Sequence, residues 1–269
     1  MLSNITIGQY FPGSSCVHRL DPRTKILLTI AYLVCIFAAK TFTGFAVIAA
    51  FILMCSLLSG IHLKFLVRGI KPICIIVAFT FLLNLFLGTG EDVIWKWGIL
   101  TITRQGIRNA VFMAVRLILL VTGTQLLTLT TSPIALTDGL ESLFAPLSKI
   151  GFPAHGLAMM ISIALRFIPD LIEETDKISR AQKARGADFE SGSLLKRAKA
   201  LLPLLVPLFV SAFRRADELA MAMDARCYTG SEERTKMRPL HYGRNDLLAL
   251  LLFVALFAVI VVFNRFLPI

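Results

Sequence analysis

Between residues 26 and 60 this sequence carries one charge, Lys40. A single helix of that length would run roughly 50 Å, against a bilayer hydrocarbon core of about 30 Å. Two short spans joined by a turn at "KTFTG" meet that limit, and in lipid each must be helical, because unpaired backbone groups find no water there. Three more apolar runs cover residues 73–87, 110–130 and 247–266. The first of these follows "HLKFLVRGIK", read as a basic loop, and the second follows the mixed segment "EDVIWKWGILTITRQGIR". With 56% hydrophobic residues the chain exceeds the roughly half found in soluble domains, so pattern and composition agree on a membrane protein.

The charge surplus then has to sit outside the lipid. There are 28 Lys+Arg against 17 Asp+Glu, a balance of +11. Lysine and arginine collect on the cytoplasmic side of membrane proteins. Arg19, Arg23 and Lys25 precede the first run, Lys64, Arg68 and Lys71 separate the second from the third, and a larger basic region follows the fourth. All fall on one side if the N-terminus is cytoplasmic, which accounts for the surplus without nucleic acid. Glu91, Asp92, Trp95 and Trp97 then face outward, the tryptophans at interface depth, and the C-terminus lies outside. Residues 1–25 lack the apolar core of a cleavable signal peptide, so the first apolar helix is expected to direct insertion. Cys35, Cys55 and Cys74 lie in apolar runs and Cys16 and Cys227 on the cytoplasmic side, a distribution that gives no disulfide framework.

Residues 131–245 obey a different pattern. Stretches 156–167 and 200–213 are apolar but only about a dozen residues long, below spanning length. Each passes into charged, helix-favouring sequence: Glu173 with Lys177 and Asp176 with Arg180 are acid-before-base pairs four apart, and "RRADELAMAMDAR" is rich in helix formers. They read as helices that begin at the membrane boundary and continue into the cytoplasm, with two further full spans as the alternative. Pro203 and Pro207 would kink the second helix or mark its exit from the bilayer. The expected organisation is an N-terminal segment with four transmembrane helices in 1–130, a helical cytoplasmic domain in 131–245, and a last transmembrane helix in 246–269.

Both long helical stretches end on the same pair. Arg185 follows Ala184 in "QKARGADF", and Arg226 follows Ala225 in "MDARCYTG". "GADFESGS" between them reads as a turn. A second helix over residues 193–226 would be about 50 Å long, which puts the arginines toward opposite ends of an elongated platform. Taken singly, an arginine followed by glycine is a helix-capping pattern favoured by the macrodipole. The repetition argues for more, since Asp176 and Asp217 also each stand nine residues before their arginine. An arginine at a helix tip beside small residues can enter a partner's groove and make forked hydrogen bonds, and two tips suit a partner with two similar sites.

Four blocks carry a resemblance: "HRLDPRTKI" from His18, "GILTITRQGI" from Gly98, "GFPAHGLAMMISIALRFIPDLIEETDKISRAQKARGADF" from Gly151, and "LLPLLVPLFVSAFRRADELAMAMDARCYTG" from Leu201. Together they resemble the transmembrane T component of energy-coupling-factor transporters, over nearly the whole chain. The resemblance implies an all-α polytopic membrane protein with about five transmembrane helices and a helical cytoplasmic coupling domain, in a bacterial or archaeal cell membrane. It implies two cytoplasmic ATP-binding cassette ATPases held by helices ending in Ala-Arg-Gly motifs, and a separate substrate-binding membrane subunit, the S component, for uptake of a vitamin or transition-metal ion. Ala184, Arg185 and Gly186 would be the first motif, and Ala225, Arg226 and Cys227 the second. Cys227 departs from glycine, and Gly230, three residues on, would supply the chain reversal.

Arg116 lies inside the fourth apolar run, where a charge costs at least about 2.5 kcal/mol, so it faces the bundle or a partner such as the S component, with an internal pair or a snorkelling side chain as equal alternatives and Asn84 and Gln125 as uncharged candidates across the bundle. Asp21 and Arg23 flank Pro22 and read as a polar turn with basic anchors. Met159, Met160, Met221 and Met223 offer adaptable packing or contact surface. No catalytic residues, metal ligands or cofactor motifs stand out: there is no GxxxxGK[ST] loop, no HExxH, and His18, His62, His155 and His241 have no ligand spacing. ATP hydrolysis is therefore expected in partner subunits. A secondary transporter carrying its own substrate and a membrane scaffold without an energetic role are the other readings.

Overall fold

A computed structural model describes residues 10–86, 93–97, 100–187, 189, 193–228, 230 and 239–266. The first helix, α1 (Pro22–Ala38), starts where Pro22 fits the first helical position and Asp21 caps it, its carboxylate accepting the Arg23 N–H at 2.9 Å. It ends two residues before Lys40, and the "KTFTG" turn follows: Thr41 Oγ accepts the Gly44 N–H at 3.2 Å and opens α2 (Phe42–Ser59).

"HLKFLVRGIK" is not a loop. Leu63–Ile70 forms α3, and a short 3-10 turn, Lys71–Ile73, passes it directly into α4 (Cys74–Phe86). The three cations made the segment look solvated, but Lys64, Arg68 and Lys71 recur at three- and four-residue intervals, which is helical spacing. Opposite them Leu66 is buried with Ile61 and Leu129.

The mixed segment contains an antiparallel ribbon, β1 (Val93–Trp97) with β2 (Leu100–Thr103), pairing Trp95 with Ile102. Glu91 and Asp92 lie outside the described residues, as do the side chains of Trp95 and Trp97, so their outward placement stays an expectation. Thr103 caps the next helix, α5 (Arg104–Thr130), through the Gly106 N–H at 3.0 Å. Then come α6 (Pro133–Phe144), α7 (Ala154–Ala184), α8 (Leu194–Ala225) and α9 (Arg244–Phe266). Apart from the ribbon, the regular structure among the described residues is helical.

Among the described residues, five helical stretches are long and apolar enough to cross a membrane: α2, the α3–α4 run Leu63–Phe86, α5, α7, and Arg244–Arg265 of α9. At 17 residues α1 is shorter than any of these and is not among them. The inclusion of α7 differs from the sequence reading, which ended its apolar part at Phe167. The helix starts at Ala154, and Ile168, Leu171 and Ile172 extend the apolar content past Arg166.

The chain divides into two compact units. One comprises Gly8–Leu140 with Leu240–Ile269 and the other is built from Glu141–Pro239. In the first, side chains of α1, α2, α5 and α9 meet in one core that includes Ile36, Ile48, Leu119 and Ile260. Tyr32 O–H donates to the Leu119 carbonyl at 2.7 Å. Its ring lies where a Cβ on Gly123 would come within 2.1 Å of it, so any side chain there would force the ring to shift. In the second unit α7 and α8 pack as an antiparallel hairpin, and Glu141 accepts from His155 Nδ1 at 2.9 Å.

Candidate functional site

The two arginines end the two hairpin helices, and their backbones are built alike. Arg185 caps α7 at φ −84°, ψ 4°, and Gly186 follows at φ 88°. The Gly186 N–H bonds Lys183 O and the Ala187 N–H bonds Gln182 O, both at 3.0 Å. That pair of bonds is the Schellman closure, which satisfies carbonyls the helix end would leave open. Arg226 caps α8 at φ −95°, ψ 14°; the Cys227 N–H bonds Asp224 O at 2.9 Å and the Tyr228 N–H bonds Met223 O at 3.0 Å. Both closure bonds at the first tip have their counterparts 41 residues later.

Cys227 therefore occupies the left-handed station itself, at φ 55°, and among the described residues it is the one non-glycine with positive φ. The expectation that Gly230 would make the reversal is corrected: Gly230 also has positive φ, but the helix has already been closed at Cys227. A side chain there costs about 1–2 kcal/mol relative to its ordinary conformations, because Cβ crowds the following carbonyl.

Ala184, Arg185, Gly186, Ala225, Arg226 and Cys227 are all exposed. Neither guanidinium has a hydrogen bond or ion pair among the described residues. Each thus stands at the negative end of a helix with its donors free. Met221, 64% exposed, precedes the second tip on α8, while Met160, 57% exposed, lies near the start of α7.

Spacing along the hairpin is set by polar contacts. Pro207 lacks the N–H that would have bonded the carbonyl at position 203, and Gln182 Nε2 supplies the missing donor at 3.2 Å. The helix runs through both prolines without a break. Twelve residues from that contact on each helix, Arg215 reaches Asp170 at 3.2 Å and Glu174 at 3.7 Å. These cross-helix pairs replace the within-helix pairs expected from sequence: among the described residues, Glu173–Lys177 and Asp176–Arg180 are not closed. Arg226 lies about 35 Å along α8 from Pro203, the level where Gln182 of the first tip touches.

A family model described as cobalt transport protein, CbiQ, matches residues 13–237. The chain belongs to the CbiQ family. The matched region contains all four blocks on which the sequence resemblance rests and both arginine tips. CbiQ-family relatives extend the match: the energy-coupling factor transporter transmembrane protein EcfT of Thermosediminibacter oceani is 57% identical over 98% of this chain and 99% of its own. The protein of the same name from Acidaminococcus fermentans is 53% identical over 97% of each chain, and that of Bacillus subtilis 48% over 91% of this chain and 93% of its own.

Arg116 is engaged inside its own unit. Its Nη2 donates to the Ala39 carbonyl at 3.2 Å, just past the end of α1, and its guanidinium lies over Phe112 at 4.9 Å and over Phe37 and Phe45 at 5.7 Å each. Aromatic faces and a helix C-terminus are both favourable surroundings for a cation in lipid. Asn84 bonds back to Thr80 O on its own helix and does not reach Arg116.

Sequence reasoning missed two junctions that hold α9 to α1. Asp21 and Arg23 are more than a polar turn: the Asp21 N–H donates to Asp246 Oδ1 at 2.8 Å, and Arg23 donates to Leu240 O at 2.8 Å while covering the Tyr242 ring at 4.4 Å. At the other end Asn264 donates to Ala38 O at 2.9 Å and accepts the Lys40 N–H at 3.1 Å. Asp246 and Asn264 are eighteen residues, about 27 Å, apart, close to the hydrocarbon thickness. The local signals were an acid and an amide at the two ends of the last apolar run.

Proposed function

We propose that this chain is the energy-coupling membrane subunit of an ABC-type importer, passing ATP-driven motion of two ATPase subunits to a substrate-binding S component that takes up vitamins or transition-metal ions. One ATPase docks at Ala184, Arg185 and Gly186 and the other at Ala225, Arg226 and Cys227. The supporting observation is the pair of matching caps, each presenting an exposed and unpaired arginine. A simple capping role would use the guanidinium against the helix's own carbonyls, whereas both side chains leave them. Names of the relatives favour the same reading. In this arrangement the chain hydrolyses no ATP. Its N-terminus and the two arginine tips that close α7 and α8 lie on the cytoplasmic side of a bacterial or archaeal membrane, and Arg116 serves the intramembrane bundle.

The test is co-purification of the ATPases with wild type, Arg185→Glu, Arg226→Glu and the double variant, together with ATP-driven uptake in vesicles. Release of the ATPases and loss of uptake in a still-folded double variant is the expected result. Undiminished retention and uptake would reduce the repeated arginine to a helix cap and favour a scaffold.

A further inference from the structure

The α7–α8 hairpin holds one charge in an otherwise apolar strip. α8 packs on α7, and its half-buried positions from Leu204 onward include Leu208, Ala212, Arg215, Leu219 and Met223, spaced three or four residues apart on one helical face. Apolar contact has no direction, so a strip that repeats with every turn packs almost as well after a slip of one turn, about 5.4 Å. Such a slip would change the separation of Arg185 and Arg226 along the hairpin by the same amount.

Arg215 opposes it. Its Nη1 donates to Asp170 Oδ2 at 3.2 Å and its Nη2 lies 3.7 Å from Glu174 Oε2. The two carboxylates stand one turn apart on α7, with Arg166 a further turn toward the helix start and Ile178 a turn beyond Glu174. Moved one turn toward the start, the guanidinium leaves Glu174 and approaches a like charge. Moved the other way, it leaves Asp170 and comes beside an apolar side chain. The Gln182–Pro203 contact, twelve residues away on each helix, keeps the same register. Both members of the ion pair are partly exposed, and pairs of that kind add little to stability. A lone polar residue in an apolar helix seam acts instead on register.

We propose that Arg215, held between Asp170 and Glu174, is a positioning residue that fixes the register of α8 on α7 and with it the separation of the two arginine tips. The proposal rests on reading those tips as ATPase docking points. Docking then needs only the arginines, whereas transmission needs the distance between them to stay fixed while the ATPases move.

The experiment compares the wild-type full chain with Arg215→Met, Arg215→Lys and the double variant Asp170→Ala with Glu174→Ala, which keeps the arginine and removes its acceptors. Nitroxides on ketone-bearing residues replacing the exposed Ala181 and Ala222, each four positions before its arginine, report the distance between the helix ends in nanodiscs. One narrow distance is expected in wild type, and a second population shifted by about one turn, ~5 Å, in Arg215→Met and in the double acid variant. In the vesicles of the docking test, both should retain the ATPases while uptake per ATP hydrolysed falls at least about fivefold, with Arg215→Lys intermediate. An unchanged distance in both variants would overturn the proposal. So would an altered distance with unchanged uptake per ATP, or release of the ATPases by Arg215→Met. The distance is read in the chain alone, so it decides the register separately from whether Arg185→Glu with Arg226→Glu shows the tips to be docking points.

Discussion

Gly186 and Cys227 hold the same backbone station in two helix caps, one residue past an exposed arginine, although one has no side chain and the other carries a thiol. The hydrogen bonds of the closure fix the left-handed turn, and glycine merely makes it inexpensive. Cys227→Gly is expected to stabilise the α8 cap by about 1 kcal/mol, and Gly186→Ala to weaken the α7 cap by a similar amount. Hydrogen exchange reads this locally: the Tyr228 amide should exchange about fivefold more slowly in Cys227→Gly. ATPase retention should be unchanged in that variant, since Arg226 keeps its place.

Asp246 satisfies two backbone donors, the Asp21 N–H at 2.8 Å and the Gly243 N–H at 2.7 Å, and both carboxylates of this junction are more than nine-tenths buried. Asp246→Ala strands both donors, each worth about 1–3 kcal/mol when left unmade. Thermal unfolding in detergent should show a loss of at least about 2 kcal/mol, with Asp246→Asn intermediate because its single amide oxygen can accept from only one of the two donors.

Gly123→Ala trades a gain in helix propensity of about 1 kcal/mol against a Cβ placed 2.1 Å from the Tyr32 ring. The clash should dominate, at a net cost of about 1–3 kcal/mol. Tyr32→Leu removes the obstructing ring edge, so the double variant should be more stable than the sum of the single effects. An additive cycle would mean the two residues do not touch.

For Arg116→Met the terms oppose. The substitution loses the bond to Ala39 O and the aromatic contacts, but it relieves a charge in lipid whose Nε is buried without a partner among the described residues. Stability should change by less than about 1 kcal/mol, since replacing a buried charge by an apolar side chain of similar size is often close to neutral. Uptake should persist, because this guanidinium is engaged within the chain. Folded protein with abolished uptake would return Arg116 to a partner-contact role.

The helices were legible wherever the signal is local. Apolar runs marked α2, α4, α5 and α9 but not α7, and the threonines of "KTFTG" and "TITRQG" sit where caps belong, at Thr41 and Thr103. The α3 segment was misread because its cations drew attention away from their helical spacing. In the candidate site the Ala-Arg repeat was visible as residue identity, but the equivalence of the two caps was not, since cysteine is a poor marker for a left-handed turn. The junctions at Asp246 and Asn264 join residues 225 and 226 positions apart, and no pattern within either segment announces the other.

Those junctions also set an order of events. At about 5–20 residues per second, some 11–45 s of synthesis separate Asp21 from Asp246. Throughout that interval α1 stands without the neighbour that will clasp both its ends. Its sequence suits the wait: its two basic residues lie in the first turn, at Arg23 and Lys25, and from Ile26 to Ala38 it offers the lipid no charge at all. The arrival of α9 is then a closing step, and a nascent chain halted before Asp246 would leave α1 unfastened at both ends.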